Sequence, residues 1–152
     1  MSVEKVVKPS FTVIGMEGST DAGNGFIKKL WDEANARFEE IAHLCRRGED
    51  GGFAGFWGAM SDFSRGFKPW DDFARGLYLA GAECVDGAEP PEGWTKWVIP
   101  GFEYLRFAQA EYTFDRAVAY VRENSLHFAG AAHDFIDPRT GKGYICIPIQ
   151  KL

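Results

Sequence analysis

The stretch Asp86-Gly87-Ala88-Glu89-Pro90-Pro91-Glu92-Gly93 decides how the rest of the chain is read. Its paired prolines remove backbone donors and fix φ, and its glycines add freedom, so neither a helix nor a strand runs through it. It is a connector, and it divides the 152 residues near their middle. On its N-terminal side, Phe11 to Gly18 holds the β-branched Thr12, Val13 and Ile14 and predicts a strand. From Phe26 onward, apolar residues recur as Ile27, Leu30, Trp31, Ala34, Phe38, Ile41 and Cys45. That is the spacing of a helix with one buried face, predicted over 26–45 with Asn24 or Thr20 as its cap. Lys28, Lys29, Asp32, Glu33, Arg37, Glu39 and Glu40 make up its solvated face. Phe53 to Ser61 and Leu77 to Val85 predict two further strands about a polar loop containing Pro69.

The same order returns beyond the connector. A strand is predicted through Trp97 to Phe107, then a helix carrying Phe114, Ala117, Val118 and Val121 behind Thr113 as N-cap, then strands at Phe128 to Ile136 and Tyr144 to Ile149. Two strand-helix-strand-strand units, at about 1–85 and 94–152, each have an apolar helix face that one unit alone covers poorly. The expectation is therefore a single α+β domain with pseudo-twofold symmetry.

Composition narrows the function classes. Hydrophobic residues make up 45% and aromatics 15%, enough to build a core. A net charge of -5 supplies no broad positive field, so direct nucleic-acid binding is not expected. Met1 to Ser10 has no apolar run of signal-peptide length, and no segment is long enough to span a membrane. Cys45, Cys84 and Cys146 are widely spaced and odd in number, which argues against a secreted disulfide framework and for a reducing cytoplasm. His43 and Cys45 find no further metal ligands at matching spacing, so no metal and no cofactor are expected. Gly51-Gly52 and Gly141-Lys142-Gly143 do not lead into helices as phosphate-binding loops do. There is no G-x-S-x-G elbow.

The second half contains Ile99-Pro100-Gly101-Phe102-Glu103-Tyr104-Leu105-Arg106-Phe107, which resembles the "IP-x-x-x-Y-x-x-F" strand of GyrI-like domains. Ile145-Cys146-Ile147-Pro148-Ile149 resembles their closing "I-x-IP" strand. Trp57-Gly58 and Tyr78-Leu79-Ala80-Gly81-Ala82-Glu83 resemble the family's middle section. The resemblance implies two symmetric halves that hold a small amphipathic or cationic ligand at their cleft. Effector-binding halves of AraC-type and multidrug-responsive regulators, free-standing drug-binding proteins, gyrase inhibitors and some hydrolases belong to that family. With no room for a helix-turn-helix module outside 11–152, a role in transcription regulation implies a separate DNA-binding protein partner, unidentified here.

A buried carboxylate among aromatic faces selects for a cation, because the cation offsets its desolvation and is drawn by the ring quadrupoles. The family's acid falls in a "YE-x-Y" motif whose matching stretch here is His133-Asp134-Phe135-Ile136-Asp137, which implies Asp134. The alternative is that Asp134 and Asp137 belong to the turn before Pro138. Glu83 is the second acid, in an apolar strand, with an outward-facing position as its alternative. Trp57, Trp70, Phe102 and Tyr104 are the aromatic candidates, with Trp31 contributing from the first helix, while Trp94 and Trp97 flank the connector. The expected cleft contains Tyr104, Trp57 or Trp70, and Glu83 or Asp134. A hydrolase, as the alternative function, would use Glu83 or Asp134 with Tyr104 as its base and hydroxyl.

Overall fold

The structure, a computed structural model, describes residues 3–152. It is an α+β fold in which eight strands form one sheet and two helices cover one face. The strands are β1 (Val3–Lys8), β2 (Phe11–Ser19), β3 (Phe56–Ser61), β4 (Leu77–Cys84), β5 (Thr95–Ile99), β6 (Phe102–Ala108), β7 (His133–Ile136) and β8 (Gly143–Lys151). Helix α1 (Phe26–Ala36) follows β2, and α2 (Phe114–Glu123) follows β6. The sheet order is β1-β6-β8-β7-β3-β4-β2-β5, with every neighbour antiparallel.

That order is unchanged when it is reversed and each of β1–β4 is exchanged with its counterpart among β5–β8. Each half lends its first strand to the other, for β1 pairs with β6 and β5 pairs with β2. The halves meet where β3 pairs with β7 through Trp57↔Phe135 and Gly58↔Asp134.

Several elements differ from the sequence reading. Residues 97–107 are two strands, because Pro100 and Gly101 interrupt the ladder and β6 continues beside different neighbours. The predicted helix over 26–45 ends at Ala36 and continues as short 3-10 turns at Phe38–Glu40 and Ala42–Leu44. Those turns keep a three-residue repeat, so Phe38, Ile41 and Leu44 still face the core. The helix is entered through Gly25 in a left-handed conformation (φ 83°), with no side-chain cap from Asn24 or Thr20. Thr113 caps α2 as expected, its hydroxyl accepting from Arg116 N at 3.2 Å. Phe128 to Ala132 is not strand, since Ala131 N donates to Phe67 O in the long loop after β3.

Alternation along the strands sorts the core into two faces. Under α1, Ile14, Met16, Ala82 and Cys84 meet Ala34 and Ile41. Under α2, Leu105, Phe107, Ile145 and Ile147 meet Ala117, Val118 and Val121. The opposite face carries Phe11, Val13, Trp57, Leu79, Trp97 and Tyr104 as one cluster.

Candidate functional site

Between the two helices the sheet is left uncovered, and a cleft of about 440 Å³ opens there, within the usual size for small-molecule sites. Its walls include Ile27 from α1, Phe114 and Val118 from α2, Trp70 from the β3–β4 loop, and Met60 from the floor. Trp70 is fixed by donating its indole Nε1 to Leu77 O at 2.9 Å and by lying against Gly76, where a side chain would displace it. Phe73 completes the aromatic wall, with its ring centroid 6.2 Å from Phe114 and 5.2 Å from Phe128.

Among the described residues, Asp134 is the one charged side chain lining the cleft. It sits on β7 opposite Gly58 on one side and Ile145 on the other. Because Gly58 has no side chain, the Tyr78 phenol lies over it, and its hydroxyl donates to Asp134 Oδ2 at 3.0 Å. Trp31 Nε1 donates in turn to the Tyr78 oxygen at 3.1 Å, and Gln109 Nε2 donates to Asp134 Oδ1 at 3.3 Å. No ion pair neutralises Asp134 among the described residues. Burial pushes its carboxyl above the ordinary aspartate value, and the hydrogen bond from Tyr78 only partly opposes this. Tyr78 is itself held above the usual phenol range, by burial first and by the Asp134 charge second.

Asp134, Trp70 and Trp31 thus belong to the helix face, with Trp31 acting through Tyr78. Asp137 is the turn residue of this segment, accepting from Arg139 N at 2.9 Å. Trp57, Glu83, Phe102 and Tyr104 lie on the opposite face. There Glu83 is 6% exposed, meets Lys8 Nζ at 3.1 Å and Arg46 Nε at 3.6 Å, and accepts from Trp57 Nε1 at 3.3 Å. Tyr104 packs edge-on against Phe102 with centroids 5.8 Å apart. Of the alternatives in the expected grouping, Tyr104, Trp57 and Glu83 line one cavity on this far face, whereas Asp134 and Trp70 line the cleft across the sheet from Tyr104. Trp94 and Trp97 serve packing, each donating its indole N–H to a carboxylate, of Glu40 and Glu17 respectively.

Tyr78, Gln109 and Met60 were not singled out from the sequence. Tyr78 lies five residues before Glu83 on β4, an odd spacing that sends the two to opposite faces. That parity was the signal available. Among the described residues no group of His, Cys, Asp and Glu gathers to hold a metal, and no helix is long and apolar enough to cross a membrane.

No protein-family model matches the sequence, and no curated protein matches it. Solved structures do match in fold. A protein from Staphylococcus aureus MU50, described under bacterial transcription regulation, aligns with a TM-score of 0.63 at 13% identity over 99% of both chains. SAV2435 bound to tetraphenylphosphonium aligns with a TM-score of 0.65 at 14% identity, over 99% of this chain and 94% of that one. EcmrR, in a complex with DNA, aligns with a TM-score of 0.64 at 11% identity, over 99% of this chain and 58% of EcmrR. At these identities the likeness is one of fold, and this chain has the α+β fold found in those regulator-like and ligand-bound proteins.

Proposed function

We propose that this chain is a GyrI-like ligand-binding domain whose helix-face cleft takes a small lipophilic cation, with Asp134 as its counter-ion. The observation that carries this reading is a carboxylate that, among the described residues, stands alone in an otherwise uncharged aromatic and aliphatic cleft with no cation paired to it. A soft, poorly hydrated cation supplies the missing charge at little desolvation cost of its own, while Trp70, Phe73 and Phe114 offer it ring faces. Tetraphenylphosphonium, held by a neighbour of the same fold, has this chemistry. In this reading the whole chain is one binding unit of two halves, located in the cytoplasm. It acts in transcription regulation, as the fold shared with EcmrR, found in a complex with DNA, supports.

The test is a titration with tetraphenylphosphonium followed by tryptophan emission. Saturable quenching that is largely lost in Trp70→Phe is expected, since Trp70 is the tryptophan lining the cleft. A linear, unsaturable change would remove the proposal.

A further inference from the structure

A surface groove of about 570 Å³ lies beside α2 and borders the cleft, for Phe73, Phe114 and Val118 line both spaces. Two of the three belong to the scaffold. Phe114 opens α2, and Val118 is buried in the core beneath it. Phe73 instead reaches across from the β3–β4 loop to close the wall. Its ring packs edge-on to Phe114 and Phe128, and the Arg122 guanidinium lies over it at 5.3 Å. Within residues 71–75, Phe73 is the one side chain that is not exposed.

The backbone that carries this ring is held against its own preference. Asp72 and Phe73 both have φ in the left-handed region, at 54° and 55°. Aspartate tolerates that region, whereas a bulky aromatic residue rarely occupies it. Ring contacts therefore hold Phe73 inward against backbone strain, and turning it outward relieves that strain. Little else ties the turn down. Among the described residues its backbone hydrogen bonds stay within 70–75, from Phe73 N to Trp70 O, from Ala74 N and Arg75 N to Asp71 O, and from Asp71 N to Arg75 O. Beyond the turn, the exposed Arg75 side chain reaches Asp21 at 3.2 Å and the Phe63 ring at 5.4 Å. The ends are pinned, by the Trp70 indole on Leu77 O and by Gly76 N on Thr20 Oγ1 at 3.1 Å. Five residues between fixed ends can rearrange while the sheet and helices stay in place. With Phe73 turned out, cleft and groove form one elongated space, to which the groove adds Ala119 and a rim of Asp72, Asp115 and Glu123 against Arg122. That rim does not repel a cation.

We propose that Phe73 is a movable partition that sets the ligand class of the site: cations bearing an extended apolar arm, with the charged end at Asp134 and the arm running past Phe73 into the groove. The ligand's charge rests on the reading of Asp134 above, whereas the partition does not. The test compares calorimetric affinities of methyltriphenylphosphonium and decyltriphenylphosphonium for the full chain, for Phe73→Ala, and for Ala119→Trp, which fills the groove and leaves the cleft lining untouched. Ala119→Trp should weaken the decyl cation by about tenfold and the methyl cation by less than about twofold. Phe73→Ala should raise the affinity for the decyl cation relative to the methyl cation by at least about fivefold, because no ring has to be displaced. Near-UV circular dichroism confirms that both variants are folded. If neither cation binds, the charge reading fails, and the partition is then read from thiol labelling of Met60→Cys on the cleft floor, the native cysteines being buried. There, Phe73→Ala should speed labelling by the bulky N-pyrenylmaleimide about tenfold relative to N-methylmaleimide. Equal effects of Ala119→Trp on the two cations, an unchanged affinity ratio in Phe73→Ala, or, where no cation binds, an unchanged labelling ratio overturns the partition.

Discussion

Replacing Gly58 with alanine perturbs the floor of the cation cleft at one atom. A Cβ there would overlap the Tyr78 hydroxyl and lie 3.2 Å from Asp134 Cβ. Gly58 is opposite Ala80 on one side and Asp134 on the other, in the middle of the sheet, so neither neighbouring strand can recede without breaking its ladder. The phenol must move instead, although Tyr78 is 1% exposed and closely surrounded. Its movement breaks the 3.0 Å bond to Asp134 and the 3.1 Å bond from Trp31 together. Overpacking a filled core costs about 1–3 kcal/mol, and a hydrogen bond to a charged group contributes about 1.5–3 kcal/mol. Both effects arise from one displacement and overlap, so a destabilisation of about 2–4 kcal/mol is expected. Urea unfolding followed by tryptophan emission measures it, with Tyr78→Phe alongside to isolate loss of the hydroxyl. A cost for Gly58→Ala below about 0.5 kcal/mol, the range of an inert surface change, would show that the Tyr78 phenol is not packed against Gly58.

Four further outcomes follow from the same structure. Because burial raises the Asp134 carboxyl, the native state keeps a proton that the unfolded chain releases as pH climbs past the ordinary aspartate value. Stability should fall and cation affinity rise through that window in pH-resolved unfolding and titration, and Asp134→Asn should abolish both trends. His133, whose Nδ1 accepts from Met60 N, is buried neutral and pushed down to about 3. The unfolded chain therefore binds the extra proton as pH drops from the ordinary histidine value toward 3, and this group removes about 1.4 kcal/mol per pH unit. A flatter acid limb in His133→Gln checks it. Cys45 and Cys84 are cross-strand partners flanked by the bonds Arg46 N to Glu83 O and Val85 N to Leu44 O, the close, non-hydrogen-bonded type of pair. Slow equilibration with oxidised glutathione should link them and leave Cys146 free, as thiol counting after denaturation will show, whereas three titratable thiols would contradict it. With a net charge of -5, the chain alone should give no duplex-DNA mobility shift at physiological salt, and a salt-sensitive shift would count against this.

The periodic segments were legible because local physics decides them. Thr113 caps α2, the 86–93 connector separates two like units, and the apolar stripe beginning at Phe26 marks α1. The exchange of β1 and β5 between halves was not legible, since Val3–Lys8 is a short edge strand with charged residues whose partner lies a hundred residues away. The break at Pro100-Gly101 was masked by apolar residues on both sides of it. The sequence offers acids and aromatics as candidates by type, but how they group depends on which face each strand presents. Parity within β4 separates Tyr78 from Glu83. No local pattern brings Gly58 of β3 beside Asp134 of β7, because that pairing is made only when the halves join.

Whether Asp134 recognises charge is measured most directly by comparing the calorimetric affinities of tetraphenylphosphonium and neutral triphenylphosphine oxide for the unmodified chain and for Asp134→Asn. The cation should lose about 1–2 kcal/mol, roughly five- to thirtyfold, while the neutral ligand changes by less than about twofold. Equal losses for the two ligands, or no loss for the cation, would contradict it.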